Sequence, residues 1–236
     1  MINKEKISIL ILVCNEIKTI EKDIISIKKN LKNFIDYQLV VIQDGSTDGT
    51  YERLKFFKKK YNLTLNSVKK RRGYTNAFLT GIKSCRNDTI FFSDTGKKYD
   101  FKNLRRFIDT FFKKKTDLLS GYRIKRKDKI FRRILTFFYT KSINLLFNKK
   151  YKDYDCGFKV FRKTCIKKIV NKQNFTPYLF TSQIFIYFFK YNYKIIQMPI
   201  EYLENKKRSS RGIPMTKIPK IVILSLMNLL KIRFKF

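Results

Sequence analysis

Gln38–Thr50 reads QLVVIQDGSTDGT, and its first half decides the fold. Gln38–Ile42 is an apolar run of strand length, as expected of a strand buried on both faces, and it stops at Asp44-Gly45-Ser46. A helix is expected over Tyr51–Lys60, with Ser46 or Thr47 placed to cap it. Upstream, Ile7–Cys14 (ISILILVC) is a second such strand, and Thr19–Leu31 carries Ile20, Ile24, Ile25 and Ile27 at helical spacing. Downstream come a weaker strand at Leu63–Val68, a helix at Thr75–Cys85 and a strand at Thr89–Ser93 that ends on Asp94. Lys102–Lys115 reads as a helix and Asp117–Tyr122 as a further strand. Repeated strand–helix alternation implies an α/β, Rossmann-like, mostly parallel sheet covered by helices. Ligands of such sheets bind beyond the carboxyl ends of the strands, where Asn15-Glu16, Asp44 and Asp94 all fall.

The second half changes character. Ile130–Phe147 is an aromatic-rich helical stretch with Arg132 and Arg133 in its first turn. A polar turn at Asp153–Gly157 precedes a short strand at Phe158–Phe161, a helix at Leu179–Lys190 and a strand at Lys194–Ile200. A basic loop, Glu204–Pro214, leads to a last helix over Thr216–Phe234. That segment is apolar at most positions, with Lys or Arg at 220, 231, 233 and 235, and is open to two readings: an amphipathic arm in a bilayer interface, or a helix covering the core. The expected organisation is one domain over 1–200, with a nucleotide-binding half to about 125 and an acceptor half from about 126. Residues 201–236 form the basic loop and terminal helix.

Composition narrows the chemistry. The chain of 236 residues carries 54 Lys and Arg against 18 Asp and Glu, a net charge of +36. Lys, Ile, Asn and Phe are abundant while Trp and His are absent, a bias that accounts for much of the charge. The resulting field still favours anionic lipid and phosphate-bearing substrates. With no His, imidazole acid–base chemistry and His metal ligands are excluded. Cys14, Cys85, Cys156 and Cys165 form no CxxC pair, so neither a zinc site nor a disulfide framework is indicated, and a reduced setting is expected. No RNA-binding or helix-turn-helix pattern accompanies the charge, so nucleic acid is not an expected partner. Ile7–Cys14 lacks a cleavage site of the signal-peptide kind, and Ile221–Leu230 is too short to span a bilayer.

At the strand ends, Asp44 within QDGSTDGT can accept hydrogen bonds from a base or ribose. Asp94 within FFSDTGKKYD can hold a divalent cation that neutralises a diphosphate leaving group. LVCNE (12–16), VVIQDGSTDGT (40–50), GYTNAFLTGI (73–82), FFSDTGKKYD (91–100) and DYDCGFKVFRK (153–163) occur in an order and spacing that resemble the family 2 glycosyltransferases. The polyprenyl-phosphate sugar synthase branch is the nearest match. The resemblance runs from Ile7 to about Lys220. It implies a GT-A fold, a UDP- or GDP-sugar donor, Mg²⁺ or Mn²⁺, and transfer with inversion to a lipid-linked acceptor. The net charge, the reduced setting and the basic faces of the Arg132 helix and the terminal helix lead to the expectation of a peripheral position on the cytoplasmic face of the cell membrane, against an anionic lipid surface.

By the same resemblance, Leu12, Cys14, Glu16, Asp44, Thr95, Lys98 and Arg208 fall at donor-binding positions. Asp94 takes the first carboxylate of a DxD metal motif, Arg123 a phosphate-linked arginine, and Arg132 and Thr136 the pair that holds a lipid phosphate. Arg132 and Thr136 are spaced i,i+4, so a helix places both on one face. Asp155, Gly157 and Lys159 fall on a D-x-G-F-K stretch, and Arg211 shares the basic loop with Arg208. Five positions depart from the family pattern. Leu12 and Cys14 replace Pro and Tyr, Gly96 replaces the second Asp of DxD, Lys98 replaces a Gln, and Gln183 replaces an acidic candidate base. A phosphate acceptor needs little deprotonation, which softens the last loss. Lys97 or Lys98 could supply positive charge to the diphosphate. The competing expectations are transfer to a glycan hydroxyl and a homologue that binds nucleotide sugar without turnover.

Overall fold

Every residue of β1 (Ile7–Val13) is buried, because neighbours flank it on both edges and helices cover both faces. The structure is a computed structural model. It describes residues 6–32, 36–96, 99–126, 130–173, 175–176, 179–203 and 218–235, with only the backbone of Arg132 and of 218–220. After β1 come α1 (Ile20–Asn30), β2 (Tyr37–Asp44), α2 (Thr50–Lys60), β3 (Thr64–Val68), α3 (Tyr74–Ser84) and β4 (Thr89–Asp94). A short 3₁₀ turn then leads into α4 (Leu104–Lys114), followed by β5 (Leu118–Ile124) and α5 (Ile130–Phe147). The chain continues through β6 (Phe158–Arg162), α6 (Lys163–Lys172), α7 (Phe180–Lys190), β7 (Ile195–Glu201) and α8 (Ile218–Phe234).

The seven strands form one sheet in the order β3-β2-β1-β4-β6-β5-β7. All neighbours are parallel except β6, which runs antiparallel to both β4 and β5. The alternation along β1 splits the core in two. Ile7, Ile9, Ile11 and Val13 pack with α1, α2 and α4, whereas Leu10 and Leu12 face α3 and the layer of α5 to α8. Helix α7 is the most deeply buried, with Phe185, Ile186 and Phe188 each at 0% exposure.

The mostly parallel α/β architecture expected from the sequence is what the chain adopts. Three details differ. Helix α2 is capped by neither Ser46 nor Thr47: Gly49 (φ +83°) occupies the cap position and makes no side-chain bond. Asp48 Oδ1 instead accepts from the Thr50 N–H at 3.1 Å, while the Ser46 and Thr47 hydroxyls turn toward Asn15. Helix α6 was not expected, because only Cys165, Ile166 and Ile169 of its ten residues are buried and four lysines mask that stripe. The antiparallel sense of β6 follows from its place between β4 and β5, which the chain enters from the opposite end of the sheet.

Candidate active site

The rim above β2, β1 and β4 is made of three loops that bond to one another. Asn15, in the left-handed region (φ +51°), donates its N–H to Ser46 Oγ at 2.9 Å and accepts the Thr47 N–H at 2.6 Å. Glu16 donates its N–H to Thr50 Oγ1 at 2.8 Å, and its buried carboxylate accepts from Thr19 Oγ1 at 2.7 Å. Thr95 Oγ1 donates to the Leu12 carbonyl at 2.8 Å, tying the ends of β4 and β1 together. The Gly96 N–H donates to the buried carboxylate of Asp23, on α1, at 2.8 Å. Cys14 lies half-buried between these loops.

Asp44 ends β2 with both carboxylate oxygens aimed across the rim. Oδ1 accepts the Arg72 N–H and Oδ2 the Gly73 N–H, each at 2.8 Å. Each oxygen keeps a further lone pair, so the carboxylate pins the loop before α3 and still has acceptor capacity. Gly45 makes this possible. Its φ is +63°, and a Cβ there would lie 2.4 Å from the Arg71 backbone nitrogen.

Asp94 closes β4. The register pairs Leu12 with Asp94 and Val13 with Gln43, so Asp44 and Asp94 lie two strand spacings apart, on the order of 10 Å. The Tyr74 phenol, at the start of α3, donates to Asp94 Oδ1 at 2.9 Å. Burial and then the Asp94 charge push the Tyr74 phenol well above its ordinary pKa, so it stays a neutral donor. Gly157 lies against the other oxygen, where a Cβ would be 2.7 Å from Asp94 Oδ2.

The second half of the site is held by a buried ion pair. Arg123, at the end of β5, donates Nε to Asp153 Oδ2 at 2.7 Å, Nη2 to Oδ1 at 3.0 Å, and its N–H to Oδ2 at 3.2 Å. Burial opposes both charges, but each partner outweighs it, so Asp153 is lowered and Arg123 raised from their ordinary values. Lys159 is buried beneath this turn, bonded to the Cys156 carbonyl, and burial lowers its ammonium pKa. Asp155 lies beside Ser182, and burial is the largest influence raising its carboxyl. Ser182 Oγ is 2.8 Å from the Tyr139 hydroxyl of α5. Arg126 Nη2 reaches Thr136 Oγ1 at 3.4 Å. Gln183 is buried, and its Oε1 accepts the Thr176 N–H at 2.8 Å.

The fold therefore gathers Leu12, Cys14, Glu16, Asp44, Asp94 and Thr95 on one rim, while Arg123 is paired with Asp153 and Thr136 is reached by Arg126. Lys97, Lys98, Arg208 and Arg211 lie outside the described residues, as does the side chain of Arg132, although its backbone belongs to α5. Tyr74, Asp23, Asp153 and Arg126 were not singled out from the sequence. Tyr74 sits inside a motif that was noticed, GYTNAFLTGI, but nothing local shows a tyrosine reaching a carboxylate twenty residues on.

A mostly parallel sheet covered by helices, with three loops bonded into one rim and a carboxylate at the end of the central strand β4, defines the Rossmann-like GT-A class of fold. The chain belongs to glycosyl transferase family 2, whose profile it matches over residues 8–170. It is 30% identical over 136 residues to the dodecaprenyl-phosphate galacturonate synthase of Rhizobium johnstonii, covering 56% of this chain and 40% of that one. It is 27% identical over 190 residues to the dolichyl-phosphate beta-glucosyltransferase of Dictyostelium discoideum, covering 75% and 58%. The chain thus spans less than two thirds of either relative. Glucosyl-3-phosphoglycerate synthase from Mycobacterium tuberculosis, solved with Mn²⁺, uridine diphosphate and phosphoglyceric acid, superposes with a TM-score of 0.72 at 17% identity. That match covers 96% of this chain and 78% of the other, and shows the shared fold.

Among the described residues no group of three His, Cys, Asp or Glu side chains could enclose a metal ion. The donor set nevertheless suits Mg²⁺ or Mn²⁺ arriving with a diphosphate. Mg²⁺ is commonly held by one or two carboxylates plus substrate phosphates and water. Asp94 offers one carboxylate at a strand end, and only a residue without a Cβ fits against it at position 157.

Proposed function

We propose that this chain transfers a sugar, with inversion, from a UDP- or GDP-sugar to a polyprenyl phosphate. The observation that carries the proposal is the gathering of Glu16, Asp44 and Asp94 on one rim by three mutually bonded loops. The two relatives, a dodecaprenyl-phosphate galacturonate synthase and a dolichyl-phosphate beta-glucosyltransferase, support the same acceptor class.

Residues to about 125 act as the donor half and about 126–200 as the acceptor half. Glu16 and Asp44 seat the nucleoside, with Leu12 and Cys14 beneath it. Thr95, Lys98 and Arg208 are the residues assigned to the donor diphosphate. Asp94 would hold Mg²⁺ or Mn²⁺, which supplies charge neutralisation to the departing nucleoside diphosphate. Tyr74 orients Asp94 from one side, and Gly157, without a side chain, packs against its other oxygen. Arg132 and Thr136, with Arg126 bonded to the latter, hold the acceptor phosphate in line with the anomeric carbon. Arg123 fixes the 153–157 turn through Asp153.

A phosphate oxygen of the acceptor forms the new bond to the anomeric carbon as the bond to the nucleoside diphosphate breaks. The attacking oxygen is already anionic, so no base is needed, and the work is positioning and charge neutralisation. Gln183 supports this over a glycan hydroxyl acceptor, because its buried amide is engaged by Thr176 and does not act as a base.

The test is a donor screen in detergent with polyprenyl phosphate and Mg²⁺ or Mn²⁺, following radiolabel into the lipid phase. Transfer from one donor class, abolished in Asp94→Asn and by EDTA, is expected. Binding of nucleotide sugar without turnover from any donor would establish the non-catalytic alternative, and full activity in EDTA would remove the metal from Asp94.

A further inference from the structure

Asp155 is a half-buried carboxylate that the proposed reaction leaves without a role. It belongs to the turn before β6, and β6 runs antiparallel to β4, so this turn lies at the same end of the sheet as Asp94. The Asp94 N–H donates to the Gly157 carbonyl at 3.3 Å, which ties the turn to the rim. Ser182 of α7 lies beside Asp155, but its one hydroxyl hydrogen is shared with the Leu179 carbonyl, 2.9 Å away. Two cations are near, and both are committed elsewhere: Arg123 to Asp153, and Lys159 to the Cys156 and Tyr154 carbonyls. Burial is the largest influence on the Asp155 carboxyl and raises it, so an incoming hydroxyl donor relieves a cost that the fold leaves standing.

The neighbours of Asp155 define what reaches it. On one side is Tyr74, whose phenol donates to Asp94 and is raised by burial, by Asp94 and, more weakly, by Asp155. On the other is α5, where the Tyr139 phenol is raised by burial and then by the Asp155 charge. Tyr139 is spaced i,i+3 from Thr136 on that helix, so the two share a face. Asp155 therefore stands between the carboxylate placed for the donor diphosphate and the helix placed for the acceptor phosphate. In the proposed reaction that interval holds the sugar, because its anomeric carbon passes from one phosphate oxygen to the other. An acceptor-only group short of donors selects its occupant by charge. A neutral hexose brings hydroxyls, and hydrogen bonds to ionised acceptors are the strong ones. A uronate brings a second carboxylate, and like charges at close range repel.

We infer that Asp155 reads the donor sugar, accepting hydrogen bonds from the hydroxyls of a neutral hexose and rejecting a uronate. The assignment rests on the proposed transfer reaction and narrows its donor to nucleotide-linked neutral sugars. The Rhizobium johnstonii relative is named as a galacturonate synthase, so this preference sets the chain apart from it.

The test is calorimetric binding of the full chain, with Mg²⁺, to UDP, UDP-glucose, UDP-galactose, UDP-glucuronate and UDP-galacturonate. GDP, GDP-mannose and GDP-mannuronate cover the other base. The best neutral donor should bind at least about tenfold tighter than the matching uronate donors. Asp155→Asn should hold nucleoside diphosphate binding within about twofold and narrow that preference by about tenfold. The ratio is read within one protein sample, so partial loss of fold cancels, and the preference of the unsubstituted chain is measured without any variant. Tighter binding of a uronate donor, or an unchanged preference in Asp155→Asn, would overturn the assignment while nucleotide binding upholds the donor site. Equal weakening of every ligand in Asp155→Asn, nucleoside diphosphate included, would mark a structural role and overturn it too. Binding of no nucleotide in either set would remove the transfer reaction and the assignment with it.

Discussion

Replacing Asp153 by Asn tests whether the buried pair with Arg123 organises the acceptor side of the site. The side chains of Arg123 and Asp153 are 12% and 5% exposed, and the contact is bidentate at 2.7 and 3.0 Å. Asn keeps the volume and one acceptor but leaves the guanidinium charge buried without its counter-charge. Breaking such a pair from one side costs about 3–5 kcal/mol, far above an exposed salt bridge. With a urea slope of about 2 kcal/mol/M, a loss of about 3 kcal/mol lowers the unfolding midpoint by about 1.5 M. Arg123→Gln should cost a similar amount, and the double variant clearly less than the sum, since it strands no charge. The sign with pH is fixed too. Asp153 is lowered from its ordinary 3.8, so its contribution is complete above that value and is lost as pH falls toward and through the folded-state value. The unsubstituted chain should therefore lose more stability than Asp153→Asn on acidification below about pH 4. Additive single costs, or a midpoint within about 0.2 M of the unsubstituted chain, would refute the coupling.

Three further outcomes follow from the rim. Gly45→Ala combines a left-handed φ with a Cβ 2.4 Å from backbone, so a loss of more than about 1 kcal/mol in chemical unfolding is expected, with weaker nucleotide binding by calorimetry; a neutral substitution would refute the close approach. Gly157→Ala places a methyl 2.7 Å from Asp94 Oδ2 and should reduce transfer by about tenfold or more, while costing about 1–3 kcal/mol of stability, so kinetics well below the melting range separate the two. Tyr74→Phe removes the phenol that orients Asp94, and a hydrogen bond to a charged group is commonly about 1.5–3 kcal/mol. Metal-titrated transfer should then need more Mg²⁺ for half-maximal rate, and an unchanged titration would show that the bond does not position Asp94.

The strands were legible in the sequence because apolar runs such as Ile7–Cys14 and Gln38–Ile42 have few alternatives to a doubly covered strand. The loop residues were legible because Gly45 and Asp44 mark a turn at a strand end. Helix α6 was not, since three buried residues among lysines leave a weak periodic signal. The Ser46 and Thr47 capping expectation failed because Asn15, from another loop, competes for both residues.

The sequence by itself determined the α/β class, the family, and the placing of Glu16, Asp44 and Asp94 at strand ends, all of which follow from local pattern and chain order. Tertiary structure alone decided which groups face one another across long stretches of chain. It set Arg123 against Asp153, Tyr74 against Asp94, and Asp23 under Gly96. It also decided the fate of α8, whose periodicity could not distinguish a buried helix from an interfacial one because apolar residues occupy both sides. Only the position of α5 and α7 leaves one side in the core and the other outside it.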